Sequence, residues 1–157
     1  MPEETPESRP EANLAALGLA LPEPAAPVAS YVPAVEAGGL LHISGQLPFI
    51  DGVLVKGRLG EGLTIGEGQD AARACALMLI AQMKAALGGS LDRVDRIVKL
   101  GAFIASTGDF TDQPKVANGA SELMQAVFGA VEPNNIGFQS IAGSLIKIIF
   151  CLGKGQG

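Results

Sequence analysis

The sequence contains few of the residues that bind metals or stack on nucleic-acid bases. Its 157 residues include one histidine, His42, two cysteines, Cys75 and Cys151, one tyrosine and no tryptophan. One histidine and two widely separated cysteines supply too few ligands for a conventional zinc site, so we expect no bound metal. Cysteines without metal or redox spacing are typical of reduced thiols in a cytoplasmic protein.

Positive charge is also scarce. The chain has 11 Lys and Arg against 16 Asp and Glu, which gives a formal net charge of -5. An acidic surface repels phosphate backbones, and six Phe with one Tyr offer few platforms on which bases could stack. We therefore expect no nucleic-acid partner.

Long apolar runs are absent as well. No run reaches the roughly 20 residues that span a bilayer, and residues 1–7 are acidic and lack the apolar core of a signal peptide. The sequence therefore predicts no membrane-spanning helix, no secretory signal and a cytoplasmic location.

The chain nevertheless has enough apolar residues to form one hydrophobic core. Hydrophobic residues make up 48% of the chain and charged residues 17%, as in ordinary globular domains. The Pro- and Glu-rich start predicts a disordered acidic tail over residues 1–11, followed by a single domain over residues 12–157.

The stretch from Gly38 to Pro48 predicts a turn followed by a strand over residues 40–44. Alternation along this strand places His42 and Ser44 on one face. Gly45 then leaves the backbone bare where the strand is expected to end. A hydroxyl beside a bare glycine backbone suits a small polar ligand, although an ordinary strand end has the same composition.

The middle of the chain predicts two amphipathic helices. Thr64 and Glu67 have capping-box spacing, and Asp112 and Pro114 are typical of a helix start. Apolar residues then recur every three or four positions. In the first helix they are Ala72, Cys75, Ala76, Leu79, Ile80, Met83 and Leu87; in the second they are Val116, Ala120, Leu123, Met124, Val127 and Phe128.

The remaining apolar segments predict strands over residues 31–35, 94–104, 138–141 and 144–152. Asp51-Gly52 predicts a hairpin turn, and residues 132–135 predict another turn. In the strand over 94–104, Val98, Leu100, Ala102 and Ile104 are expected to share the face under a helix. The order β-β-β-α-β-α-β-β indicates an α+β domain, with a mixed sheet and both helices on one face.

Several separated motifs make the chain similar to the reactive intermediate deaminase family, called RidA or YjgF-like and often labelled endoribonuclease L-PSP. The resemblance covers about residues 14–129, and the C-terminal part diverges. It is carried by the segments Pro27–Pro33, Gly39–Pro48, Glu67–Arg73, Leu91–Leu100 and Asp109–Ala120.

The resemblance implies a chorismate-mutase-like fold and a homotrimer, with ligand clefts between subunits. Members of this kind hydrolyse enamines and imines, such as 2-aminoacrylate, to 2-keto acids and ammonia without a cofactor. The positions matching the family's ligand contacts are Tyr31, Ser44, Gly45 and Asn118. Three of them also have a purely structural interpretation: Tyr31 caps the sheet, Ser44 is a strand-end hydrogen bonder, and Asn118 is a solvated helix residue.

The chain departs from the family pattern after its second long helix. The deaminases carry an arginine there that would grip a substrate carboxylate, and a glutamate on the final strand. Here the last arginine in the sequence is Arg96, and Lys147 stands near the expected acidic position. Lys147 could restore the lost positive charge if it faces the cleft.

Three functions follow from these observations. The first is an enzyme, a hydrolase acting on C–N bonds of enamines and imines. The second is a trimer that binds small carboxylates without turnover, and the third is an endoribonuclease, which the acidic composition disfavours. His42 could act as an acid or base because imidazole titrates near neutrality, but a strand histidine is more often simply packed or solvated.

Overall fold

A computed structural model describes residues 9–24, 30, 32–129, 136–141 and 146–154, the last two segments through their backbone. The helices are α1 (Arg9–Ala16), α2 (Ile65–Ala86) and α3 (Gln113–Phe128). The strands are β1 (Ala34–Ala37), β2 (Leu40–Gln46), β3 (Phe49–Ile50), β4 (Val53–Leu54), β5 (Arg58–Leu59), β6 (Gly62–Leu63), β7 (Val94–Ala105), β8 (Ile136–Ile141) and β9 (Ile146–Lys154).

Five strands form one mixed sheet in the order β1-β2-β9-β7-β8. All neighbours are antiparallel except β7 and β8, which are parallel. Strand β9, the last one in the described part of the chain, therefore lies in the middle of the sheet, between β2 and β7. The predicted α+β class and mixed sheet are confirmed, and the structure adds the short parallel pair β5–β6.

Helices α2 and α3 cover the same face of this sheet. Helix α2 contacts β2 and β9, while α3 contacts β7 and β8. Leu41 and Ile43 of β2, and Ile97 and Leu100 of β7, are buried in one core cluster with residues of both helices. This layering buries the apolar stripes predicted on α2 and α3, except that Phe128 is half-buried.

Strand β7 corrects one prediction about the core. Val98 was expected to share a face with Leu100, but Val98 is half-buried and Ile97 is buried instead. The register with β9 shifts between Ile97 and Lys99. A β-bulge inserts one residue and reverses the alternation at that point, so Ile97 takes the place under the helices.

Three other local expectations have definite outcomes. Asp51 and Gly52 have φ values of 51° and 78° and connect β3 to β4, so the predicted hairpin is confirmed. The first main strand begins at Ala34, after most of the predicted 31–35 segment. Helix α1 begins at Arg9, inside the expected 1–11 tail. The turn predicted over residues 132–135 lies outside the described residues.

Helices α2 and α3 cross very closely at Gly119. A Cβ atom on Gly119 would collide with the carbonyl oxygen of Gln69 and lie 2.8 Å and 2.9 Å from the carbonyl carbon and Cα of that residue. The side-chain amide of Gln69 donates a hydrogen bond of 2.9 Å to the carbonyl oxygen of Lys115. The two helices can approach this closely because Gly119 has no Cβ atom.

Helix α2 begins with the predicted cap. The backbone N–H of Glu67 donates to the Thr64 hydroxyl oxygen at 3.1 Å, and that hydroxyl donates to the Glu67 carboxylate at 3.1 Å. One of the N–H groups that the first helical turn leaves unpaired is therefore satisfied. Among the described helices, none is long and apolar enough to cross a membrane.

We expect Thr64→Ala to lower the free energy of unfolding by about 1 kcal/mol, because it removes this cap. Asp112→Ala is the matched control, since Asp112 holds the cap position of α3 without a side-chain cap hydrogen bond. The control should cost only a few tenths of a kcal/mol, through the helix dipole. Urea denaturation measures both, and equal losses would contradict the assignment of the cap.

Candidate functional site

The candidate site is built on a β-bulge near the end of β2. Ile43 pairs with Phe150 and Gln46 with Ile148, so Ser44 and Gly45 together face one position of β9. The sequence predicted that the strand ends at Ser44, but it continues to Gln46. The structure shows that the glycine belongs to an irregularity within the strand, where a bulge re-aims the neighbouring side chain.

Ser44 is fixed by a short network of hydrogen bonds. Its N–H donates to the Pro33 carbonyl oxygen at 2.9 Å, and its hydroxyl donates to the same oxygen at 3.2 Å. The Gln46 side-chain amide donates to the Ser44 carbonyl oxygen at 2.9 Å. Because the hydroxyl proton is directed at Pro33, the Ser44 oxygen can act towards any further partner as an acceptor only.

Gln46 also anchors this segment to the core. It is buried, and the Cys75 thiol of α2 donates to its carbonyl oxygen at 3.5 Å. Burial raises the pKa of the Cys75 thiol, so this cysteine stays protonated and is not a nucleophile. The sequence motif contained Gln46, but nothing local to it indicated that the side chain turns back to hold Ser44.

Ser44 and the predicted site residue Asn118 lie on different elements of the fold. Asn118 is exposed on α3, which packs over β7 and β8. Ser44 lies on β2, and β9 separates β2 from β7. Within the described part of one chain, Ser44 is therefore on β2 and Asn118 is on the helix that covers β7 and β8, and no described hydrogen bond joins them.

The structure describes the remaining candidates to different extents. His42 is exposed on β2, two residues before Ser44 and on the same face of the strand. Lys147 lies on β9 opposite Phe103 of β7, and its backbone alone is described. Tyr31 lies outside the described residues. In the described part of the chain, no group of three or more His, Cys, Asp or Glu is placed to hold a metal ion.

The mixed sheet with two helices on one face is the fold of a known family of domains. Residues 11–137 match the model of the family described as "YjgF/chorismate_mutase-like, putative endoribonuclease". The chain therefore belongs to the YjgF/chorismate mutase-like family, and the resemblance of its motifs to this family is confirmed.

Individual relatives support the same assignment. The chain is similar to Protein TCP17 of Trypanosoma cruzi, at 56% identity over 119 residues, which is 75% of this chain and 74% of that protein. Among solved structures it is similar to Atu1372 of Agrobacterium tumefaciens, at 36% identity and a TM-score of 0.79, covering 93% and 92% of the two chains. It is also similar to an endoribonuclease-labelled protein of Shewanella oneidensis, at 34% identity and a TM-score of 0.81, covering 92% and 98%.

Proposed function

We propose that this protein is a RidA-like deaminase that hydrolyses enamines and imines to 2-keto acids and ammonia in the cytoplasm. The main observation in support of the proposal is that hydrogen bonds to Pro33 and from Gln46 fix the position of Ser44. Its oxygen, with the proton directed at Pro33, offers an acceptor beside the Gly45 backbone. The amino group of an enamine, or the N–H of a protonated imine, is a donor that fits this acceptor.

The reaction requires few catalytic groups from the protein. A protonated imine carbon is electrophilic, so water adds to it and gives a carbinolamine. The C–N bond of that intermediate then breaks, ammonia leaves, and a 2-keto acid remains. Binding groups that hold the imine and water in line provide most of the advantage, and no cofactor is required.

The proposal includes a homotrimer. Ser44 lies on β2, whereas Asn118 lies on α3, which covers β7 and β8, and we propose that subunits share the cleft that uses both. Tyr31 and Gly45 complete the proposed substrate-binding set. A binding site shared in this way would make activity depend on assembly.

The carboxylate of the substrate needs a cation, and the sequence has no arginine beyond Arg96. Lys147 is the residue we propose for this role. Lysine binds a carboxylate as a point charge, without the two parallel hydrogen bonds of arginine. The expected consequence is weaker discrimination between 2-imino acids than an arginine site would give.

The test is the decay of 2-aminoacrylate, generated in the assay by a pyridoxal-phosphate lyase. We expect acceleration by the protein, and Ser44→Ala should lower kcat/KM by about tenfold to hundredfold, the effect of losing one hydrogen bond to a charged group. Ser121→Ala is the matched control, because that hydroxyl donates only to the Ala117 carbonyl within α3, at 3.4 Å. Absence of any acceleration at micromolar protein, or equal losses in the two variants, would refute the proposal.

A second function is favoured by the same lack of a C-terminal arginine. In this second function, the protein is a regulatory trimer that binds short carboxylates or 2-keto acids without turnover. Thermal shift with pyruvate or 2-ketobutyrate separates the two: a shift without 2-aminoacrylate decay supports binding alone. No shift with any short carboxylate would reject this second function.

The endoribonuclease label of the family ranks last for this chain. The net charge of -5 opposes RNA binding. RNA cleavage that persists through repurification and disappears on substitution of Ser44 or His42 would reverse this ranking.

A further inference from the structure

An open groove lies on the helix side of the domain, between α2 and the tip of the β3–β4 hairpin. Its volume is about 750 Å³, and its third wall is the chain segment of residues 20–23. A volume of this size lies within the range of roughly 300–1,000 Å³ that is typical of small-molecule sites. Ser44 is not among the described residues that line the groove, so this groove is separate from the candidate site described above.

The α2 wall of the groove is the outer face of that helix. Its members recur every three or four residues and therefore share one face: Asp70, Arg73, Ala74 and Leu77. The first two are exposed and the other two are half-buried, whereas the neighbouring Cys75 belongs to the buried core cluster. The groove therefore opens to solvent on the side of α2 that does not pack against the sheet.

Much of the lining of the groove is apolar. Phe49 and Ile50 of the hairpin are 42% and 37% exposed, and they line the groove together with Leu21 and Leu77. A ligand with an apolar body would remove this surface from water, which is favourable. The shape and the lining thus suit a molecule that is largely hydrocarbon.

The charged residues of the groove determine which apolar molecule fits it. Each of the three walls contributes one carboxylate: Glu23, Asp51 and Asp70. Arg73 is the single cation among the described lining residues. In the described part of the chain, none of these four groups forms a salt bridge. With three negative charges against one positive charge, the groove attracts a cation and repels an anion.

We propose that this groove binds an organic ammonium ion with an apolar body, such as an arylalkylamine. The apolar body packs against Phe49, Ile50 and Leu77, and the carboxylates of the walls hold the ammonium group. Phe49 also supplies an aromatic ring, and aromatic rings attract organic cations. The substrate of the proposed deaminase carries a carboxylate, so the ligand of the groove belongs to a different chemical class.

The experiment titrates the protein with 4-phenylbutylamine and follows the backbone amide chemical shifts by NMR. Two matched probes, 4-phenylbutan-1-ol and 4-phenylbutyrate, present the same apolar body with no charge and with a negative charge. We expect saturable shifts in the three walls of the groove, and an affinity for the alcohol about threefold to tenfold lower than for the amine. The carboxylate should bind more weakly still. Equal affinities for the three probes, shifts centred elsewhere, or no saturable shift with the amine would overturn the proposal.

Variants of the groove test the two parts of the proposal separately. Asp70→Asn should weaken binding of the amine by about twofold to fivefold and leave the alcohol unaffected, whereas Glu122→Gln removes a carboxylate from an exposed position of α3 and should change neither. Ala74→Leu should abolish binding of both probes, because the larger side chain occupies the groove. Equal effects of the two carboxylate variants, or undiminished binding to Ala74→Leu, would contradict the proposal. A changed oligomeric state of Ala74→Leu in size-exclusion chromatography would also contradict it, since the groove would then be a contact between copies of the chain.

Discussion

Gly119→Ala should lower the free energy of unfolding by about 2–3 kcal/mol, which for a chain of this length corresponds to a melting temperature about 5–10 °C lower. Alanine is normally the better helix former, so an exposed helix glycine would gain stability from this change. At position 119 the added methyl meets the backbone of Gln69, with its carbonyl carbon 2.8 Å away. A backbone group cannot rotate aside as a side chain can, so the two helices must separate.

Gly66→Ala is the control, since Gly66 lies in the first turn of α2 with open space around it. The nearest atom to its Cβ position is the Thr64 hydroxyl oxygen at 3.9 Å. We expect this variant to be more stable than the parent by about 0.5–1 kcal/mol. Guanidinium denaturation followed by circular dichroism compares the two, and changes of the same sign would show that α2 and α3 do not cross at Gly119 as described.

Leu79→Ala should be at least as damaging, with a loss of about 3–5 kcal/mol. Leu79 is 0% exposed at the centre of the α2 stripe, and truncation there leaves a cavity that the close-packed surroundings cannot fill. Leu77→Ala is made on the same helix at a half-buried position and should cost about 1 kcal/mol. Similar losses for the two variants would mean that the buried and outer faces of α2 are assigned incorrectly.

These two helices are the part of the fold that the sequence predicts best. Helical periodicity, the Thr64 cap and the Asp51-Gly52 turn depend on residues a few positions apart, so a short window contains the information. The α2 stripe was predicted residue by residue, including Cys75, whose burial the structure confirms.

Features that depend on a distant strand were predicted less well. The bulges at Val98 and at Ser44-Gly45 arise from pairing with β9, more than 40 residues further along the chain. No local pattern at those positions indicates them. For the same reason the sequence did not show that Ser44 is held through Pro33 and Gln46.

The candidate site was predicted through family motifs and not through geometry. The motif at Ser44-Gly45 coincides with an ordered feature of the structure, whereas Asn118 lies on helix α3. In the homotrimer that we propose, the site is divided between copies of the chain, and such a site has no signature in the spacing of one copy's residues.

The central position of β9 has a consequence for synthesis of the protein on the ribosome. Leu40 of β2 pairs with Gly153, and β7 also pairs with β9 along most of its length. Until residue 154 has left the ribosome, β2 and β7 each have an edge without its native partner, and such edges are prone to pair with other chains. Helices α2 and α3 can form early from local contacts, but the main sheet closes only after β9 has been translated, so folding is expected to be slow.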